Sequence, residues 1–85
     1  MNNNEIYKVV KMYIDQMDYY GLLAGGAPDN EFDIESKEIS RRIGLDKSAN
    51  DIAKIIADVF NFRFGEKDDA EVFLSVSEKI KIELL

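Results

Sequence analysis

Four acidic residues alternate with other types in Asp29-Asn30-Glu31-Phe32-Asp33-Ile34-Glu35, directly after Gly25-Gly26-Ala27-Pro28. Clustered carboxylates are what a hard divalent cation takes as ligands, so metal binding is the first chemistry to weigh. The calcium loop of a helix–loop–helix site needs glycine at its sixth position for a sharp turn, and this chain offers Ile34 there. Once the segment is helical, alternate residues also point in different directions and do not encircle one ion. A glycine-rich stretch entering a helix N-terminus suggests a phosphate site instead, because the converging N–H groups carry about half a positive charge. Here the same acids stand where the anion would sit, with no Lys or Arg among them, and the spacing fits neither the P-loop nor the dinucleotide template.

Two catalytic arrangements are conceivable. Ser77 and Lys81 lie four apart, the spacing that brings a hydroxyl and an amine together on one helix face as a nucleophile and its base. No nearby stretch supplies a pocket or an oxyanion hole, which that chemistry requires. Glu31 and Glu35 are spaced as an acid–base pair, but a small helical domain has little room to desolvate one and separate their pKa values. The chain has no cysteine and no histidine, which excludes disulfides, thiolate zinc sites and imidazole acid–base catalysis. The expectation is a protein that is not an enzyme and holds no cofactor and no metal; a small divalent-metal-binding or enzymatic factor using the carboxylates of residues 29–35 is the alternative.

The same acids have a use that needs no reaction. Glu31, Glu35 and Glu38 form a stripe at helical spacing, with Asp18, Asp29 and Asp33 nearby, and such a stripe can dock a protein with a basic surface. The plainer reading is an ordinary solvated helix face whose acids favour the positive end of the helix by a few tenths to about 1 kcal/mol each. Phe62, Phe64, Tyr19 and Tyr20 offer a second kind of surface: any of them left outside the core forms an apolar anchor for a partner or for a second copy of the chain in a homodimer, although core packing is the default expectation for the phenylalanines.

These residues need a scaffold, and 85 residues make one domain, 1–85, because two cores would leave each half too small. A hydrophobic content of 46% is enough to pack a core, and 33% charged residues can cover it. The net charge of −6 repels phosphate backbones, so no nucleic-acid partner is expected. No stretch has the run of about 18 apolar residues that a membrane helix requires, and Met1-Asn2-Asn3-Asn4-Glu5 lacks the basic start and apolar run of a secretion signal. A cytoplasmic location away from membranes is the expectation.

Periodicity gives a compact all-α domain of four helices. The first starts at Asn2 or Asn3, with an amide cap, and carries Ile6, Val9, Val10, Tyr13 and Met17 on one face; Gly21 is its expected stop. Leu22 and Leu23 are too apolar for a solvated loop, so this Gly- and Pro-containing connection is expected to fold back on the core. Asp29 or Asn30 caps the second helix, which runs to Ile43 before Gly44 and buries Phe32, Ile39 and Ile43, while Ile34 falls off that stripe. Ser48-Ala49-Asn50-Asp51 is a capping box for the third helix, with Ile52, Ile55, Ile56, Val59 and Phe60 inside and Gly65 as its end. Asp68 and Glu71 repeat the capping pattern before the fourth, whose face is Val72, Phe73, Val76, Ile80 and Leu84. The alternation of Val72, Leu74 and Val76 also suits a strand, but a lone strand would have no partner.

The run from Met17 through Gly21-Leu22-Leu23-Ala24-Gly25-Gly26-Ala27-Pro28 to Glu31-Phe32-Asp33, continuing through Glu35 and Ile39, resembles the signature of the YugE-like family. These are small uncharacterised bacterial proteins of low-GC Gram-positive organisms, of about this length, so the resemblance covers nearly the whole chain. It implies a compact all-α domain of unknown function and adds no reaction. Where the family commonly has Trp-Asp-Pro ahead of the Gly-Leu pair, this chain has Met17-Asp18-Tyr19. The function expected is a small acidic protein-interaction domain, of which an immunity- or antitoxin-like inhibitor of a basic partner is one form.

Overall fold

The computed structural model describes residues 2–85 and contains four α-helices and, among the described residues, no strand. Helix α1 spans Asn3–Met17, α2 Asp33–Arg42, α3 Ala49–Phe64 and α4 Leu74–Leu84, with short 3-10 turns at Tyr19–Gly21 and Ala70–Phe73. Helix α1 packs on α2 and α4, and α3 packs on the same two, so the helices form a ring of neighbours around one apolar core.

The core is built from the predicted stripes. Phe32, Ile39 and Ile43 of the second stripe are buried, as are Ile52, Ile56, Val59 and Phe60 of α3 and Phe73, Val76, Ile80 and Leu84 near α4. In α1 the innermost residues are Ile6, Val10 and Ile14, with Val9, Tyr13 and Met17 at the margin. The predicted faces assemble with two corrections: Ile14, outside the α1 stripe, is fully buried, and Val72, expected on the inner face of the fourth helix, is 63% exposed because it lies in the 3-10 turn that precedes α4. The last segment is helical because its apolar residues meet α3 on one side.

Three predicted boundaries move, each for a local reason. Helix α1 stops at Met17, four residues before the expected stop at Gly21, because Asp18 takes left-handed angles and its N–H donates to the Ile14 carbonyl. The Asp18 carboxylate then accepts bonds from the Leu23 N–H at 2.6 Å and the Ala24 N–H at 2.9 Å, which locks the turn. Helix α2 begins at Asp33 and not at Asn30. Phe32 has to reach a fully buried position beside Phe60 and Phe64, and the chain from Pro28 makes turns until it does. At its other end Ile43 turns extended to bury its own side chain, so Gly44 is not the cap.

At α3 the expected capping box forms in full: Ser48 accepts from the Asp51 N–H and Asp51 accepts from the Ser48 N–H. Gly65, at φ +68°, ends the helix where a side chain would be strained. The proposed second capping box at Asp68 and Glu71 does not form. Asp68 bonds elsewhere, accepting from the Tyr19 hydroxyl at 2.6 Å and donating its N–H to the Asn61 amide at 2.9 Å.

The Gly- and Pro-containing connection does fold onto the core. Its wedge is Tyr19, whose ring lies 4.7 Å from Phe60, 5.1 Å from Phe64 and 6.0 Å from Phe73, while Leu22 and Leu23 pack at the edge.

Candidate functional site

Once the backbone is fixed, the six acids singled out in the sequence separate. Asp18 spends its carboxylate on the loop behind it. Asp33 binds Lys11 of α1 at 2.6 Å, and the same ammonium reaches Asp15 at 2.9 Å and the Asp29 carbonyl at 3.3 Å. The bonds from Asp33 and then Asp15 hold the Lys11 ammonium well above the ordinary lysine pKa. Glu35 is only 3% exposed and accepts from Arg63 at 2.9 Å. Glu38 binds both Arg41 and Arg42 one turn below it. Only Asp29 and Glu31 have no side-chain bond among the described residues.

The acid stripe is therefore not one continuous negative face. An α-helix turns about 100° per residue, so Asp33, Glu35 and Glu38 of α2 fan apart, and each meets the cation its own side provides, while Asp29 and Glu31 lie in the turns ahead of the helix. Among the described residues no three carboxylates converge closely enough to hold a metal ion. Ser77 and Lys81 also diverge: the Ser77 hydroxyl is buried and donates to the Phe73 carbonyl at 2.8 Å, and Lys81 donates to the Leu45 carbonyl at 3.1 Å. No acid–base pair forms from Glu31 and Glu35 either, because Glu35 faces Arg63.

What the structure does assemble is a groove of about 480 Å³ between α2 and α3. Its apolar margins are Ile34, 61% exposed, and Phe62, 87% exposed, with the buried Val59 between the helices. Phe62 is excluded from the core by its register. Phe60 and Phe64 are one turn apart and share the inner face, stacked at 5.6 Å with their rings 10° from parallel, so the residue midway between them must point away. Ile34 is turned out by the same logic, since Phe32, Ile39 and Ile43 define the inner side of α2.

The polar lining is mixed in sign and mostly arranged in advance. Lys37, Arg41, Arg42 and Arg63 face Glu35, Glu38 and Asp58. Four cations against three carboxylates leave a local charge of +1 in a chain whose net charge is −6. Two of the three carboxylates are already bonded to the arginines beside them, and each arginine uses one nitrogen in those ion pairs. The remaining guanidinium N–H groups are left for whatever enters. Glu35 Oε1 is buried and accepts no bond from the described residues, so this carboxylate contributes by steering Arg63 rather than by being fully satisfied.

Core packing is the default sequence expectation for Phe62, with an exposed anchor as the alternative, and the structure overturns the default because the register of Phe60 and Phe64 turns Phe62 outward; Ile34 is already expected off its stripe. The sequence reading missed the arginines. The available signal was the Arg41-Arg42 pair at the end of a helix whose inner face was already assigned, which puts both toward solvent. No family model matches the chain, and the comparisons with curated proteins and with solved structures give no match either. Among the described residues no helix is long and apolar enough to cross a membrane.

Proposed function

We propose that this chain is a non-enzymatic interaction domain that docks a protein partner across the α2–α3 groove. The observation that carries this reading is Phe62, a large apolar side chain held 87% exposed on a well-formed helix beside the similarly exposed Ile34. A phenylalanine in that position contributes nothing to the core and offers a partner the kind of aromatic anchor that concentrates binding energy. The side chains of the groove suit holding a partner in place. Its arginines are bonded to carboxylates that lie one helical turn or one groove-width away.

The net charge of −6 adds a long-range preference for a partner of basic overall surface, raising the encounter rate without fixing the contact. Asp29 and Glu31, the two of the six acids without a side-chain bond among the described residues, are available to such a partner just ahead of α2. An immunity- or antitoxin-like inhibitor fits this profile, as does membership of the YugE-like family through the Gly-Leu-Leu to Glu-Phe-Asp block; both belong to this proposal. A cytoplasmic setting belongs to it as well.

The test is affinity capture from a lysate with the wild-type chain and with Phe62→Ser and Ile34→Ser. A specific partner retained by the wild type and lost by both variants supports the groove as the docking face. Capture that survives both substitutions and is lost on reversing Asp29 and Glu31 moves docking to the start of α2.

A further inference from the structure

Resting on that docking reading, we infer that the segment seated in the α2–α3 groove is an amphipathic helix that carries carboxylates beside its apolar anchors. The groove lies between two helices, and helical segments are bound in such grooves by apolar side chains one turn apart. Ile34 and Phe62 supply the apolar edges. The polar edge is set by arginine. Arg41 and Arg42 both lean on Glu38, and Arg63 leans on Glu35, so three planar guanidinium groups are held at the margin by internal bonds.

A guanidinium already oriented by one carboxylate keeps N–H pairs in the fork geometry that reads a second carboxylate, and little side-chain freedom is lost when it does. Lys37, which is exposed and makes no ion pair among the described residues, adds a fourth cation. Asp58 is the one groove acid without an ion pair among them, and it disfavours a carboxylate only on the α3 side. The local sign is thus opposite to that of the whole chain. The Debye length is about 8 Å at physiological ionic strength, so the groove's own charges outweigh the distant acids at contact.

This opposition of local and global charge gives a discriminating experiment. Two short designed helical peptides share a leucine face, one flanked by glutamates and the other by lysines, and each is titrated into isotope-labelled protein at about 0.15 M salt. The expected result is that the glutamate peptide shifts the resonances of residues 34–42 and 58–63 and binds at least about tenfold more tightly than its lysine twin. Arg41→Glu with Arg42→Glu, two exposed positions, should reverse that preference while the remaining spectrum stays dispersed. The inference is overturned if the lysine peptide binds equally well or better, if neither peptide shifts those resonances, or if sedimentation shows the groove closed by a second copy of the chain that Phe62→Ser releases. Loss of lysate capture on Phe62→Ser together with preference for the lysine peptide overturns the acidic helix alone and leaves the docking face standing.

Discussion

Arg63 donates from Nε to Glu35 Oε2 at 2.9 Å, joining α3 to α2 where the two helices line the groove. The two partners are unequally placed: the carboxylate is buried, while the guanidinium is half exposed. A buried charge held by one bond, with its other oxygen unpaired, is a poor source of stability. The bond does fix the guanidinium of Arg63 beside Glu35 in the lining of the groove that Ile34 and Phe62 also line. Position is its contribution.

Arg63→Met is therefore expected to destabilise the fold by about 1–3 kcal/mol, less than for a fully enclosed pair because water already reaches the arginine. The loss comes from stranding the Glu35 carboxylate. Adding Glu35→Met to the same chain should recover part of it, since an apolar pair of similar size has no charge to desolvate. Urea denaturation of the two variants checks this. A double variant that is less stable than Arg63→Met would show that the ion pair is a net stabiliser.

Phe62→Ser should leave stability within about 0.5 kcal/mol of wild type, because the side chain buries almost nothing. Phe60→Ala, two residues earlier, removes a ring at 0% exposure and should cost about 3–5 kcal/mol. Thermal or chemical melts separate the two cases. A large loss for Phe62→Ser would mean that the ring is covered in solution, most simply by a second copy.

Asp18 holds a left-handed backbone at φ 50° while its carboxylate ties down Leu23 and Ala24. Asp18→Ala should cost about 2–3 kcal/mol, combining two lost bonds with a conformation that alanine resists. Asp18→Asn should cost less, about 1 kcal/mol, since asparagine tolerates the left-handed region and keeps one acceptor oxygen. Equal losses would place the effect in charge and not in the turn. Hydrogen exchange of the Leu23 amide reports on the same bond directly.

The fold was legible wherever one periodicity governed both burial and local structure. Ile52 to Phe60 has that property, and so does the Ser48–Asp51 box, and both stand in the structure as the residues imply. The boundaries were not legible where a distant partner decides them. Asp18 preempts Gly21 as the stop of α1 because Leu23 and Ala24 come back to it, and Asp68 leaves its capping role because Tyr19 reaches it across the core. The acid stripe misled for a related reason. Spacing along α2 shows which way each acid points, but the cation it meets is supplied by Lys11 or Arg63 from another helix. The groove's apolar edge could be read from register, and its arginine edge only after α2 and α3 were set side by side.

The Tyr19 hydroxyl gives a pH-dependent test of the wedge. Burial first, and the bond to the Asp68 carboxylate second, raise its pKa far above the ordinary 10.0. Below that ordinary value the folded and unfolded chains both keep the proton, and the Tyr19–Asp68 bond contributes in full. As pH rises past 10, the unfolded chain releases the proton and the folded chain retains it, so the unfolded state binds fewer protons and stability falls by about 1.4 kcal/mol per pH unit for this group. Lys11 acts in the same direction above 10.5, since its bonds to Asp33 and Asp15 keep it charged only in the folded chain. Tyr19→Phe should be less stable than wild type near pH 8 by about 1–2 kcal/mol, having lost a hydrogen bond to a charged acceptor. That gap should narrow as pH approaches 11, because the variant has no hydroxyl to ionise while its Lys11 contribution is unchanged. Urea titrations of both chains between pH 8 and 11 measure it. A gap that stays constant or widens would mean that Tyr19 is not held as a buried donor to Asp68, and that the connection between α1 and α2 is seated on the core by some other contact.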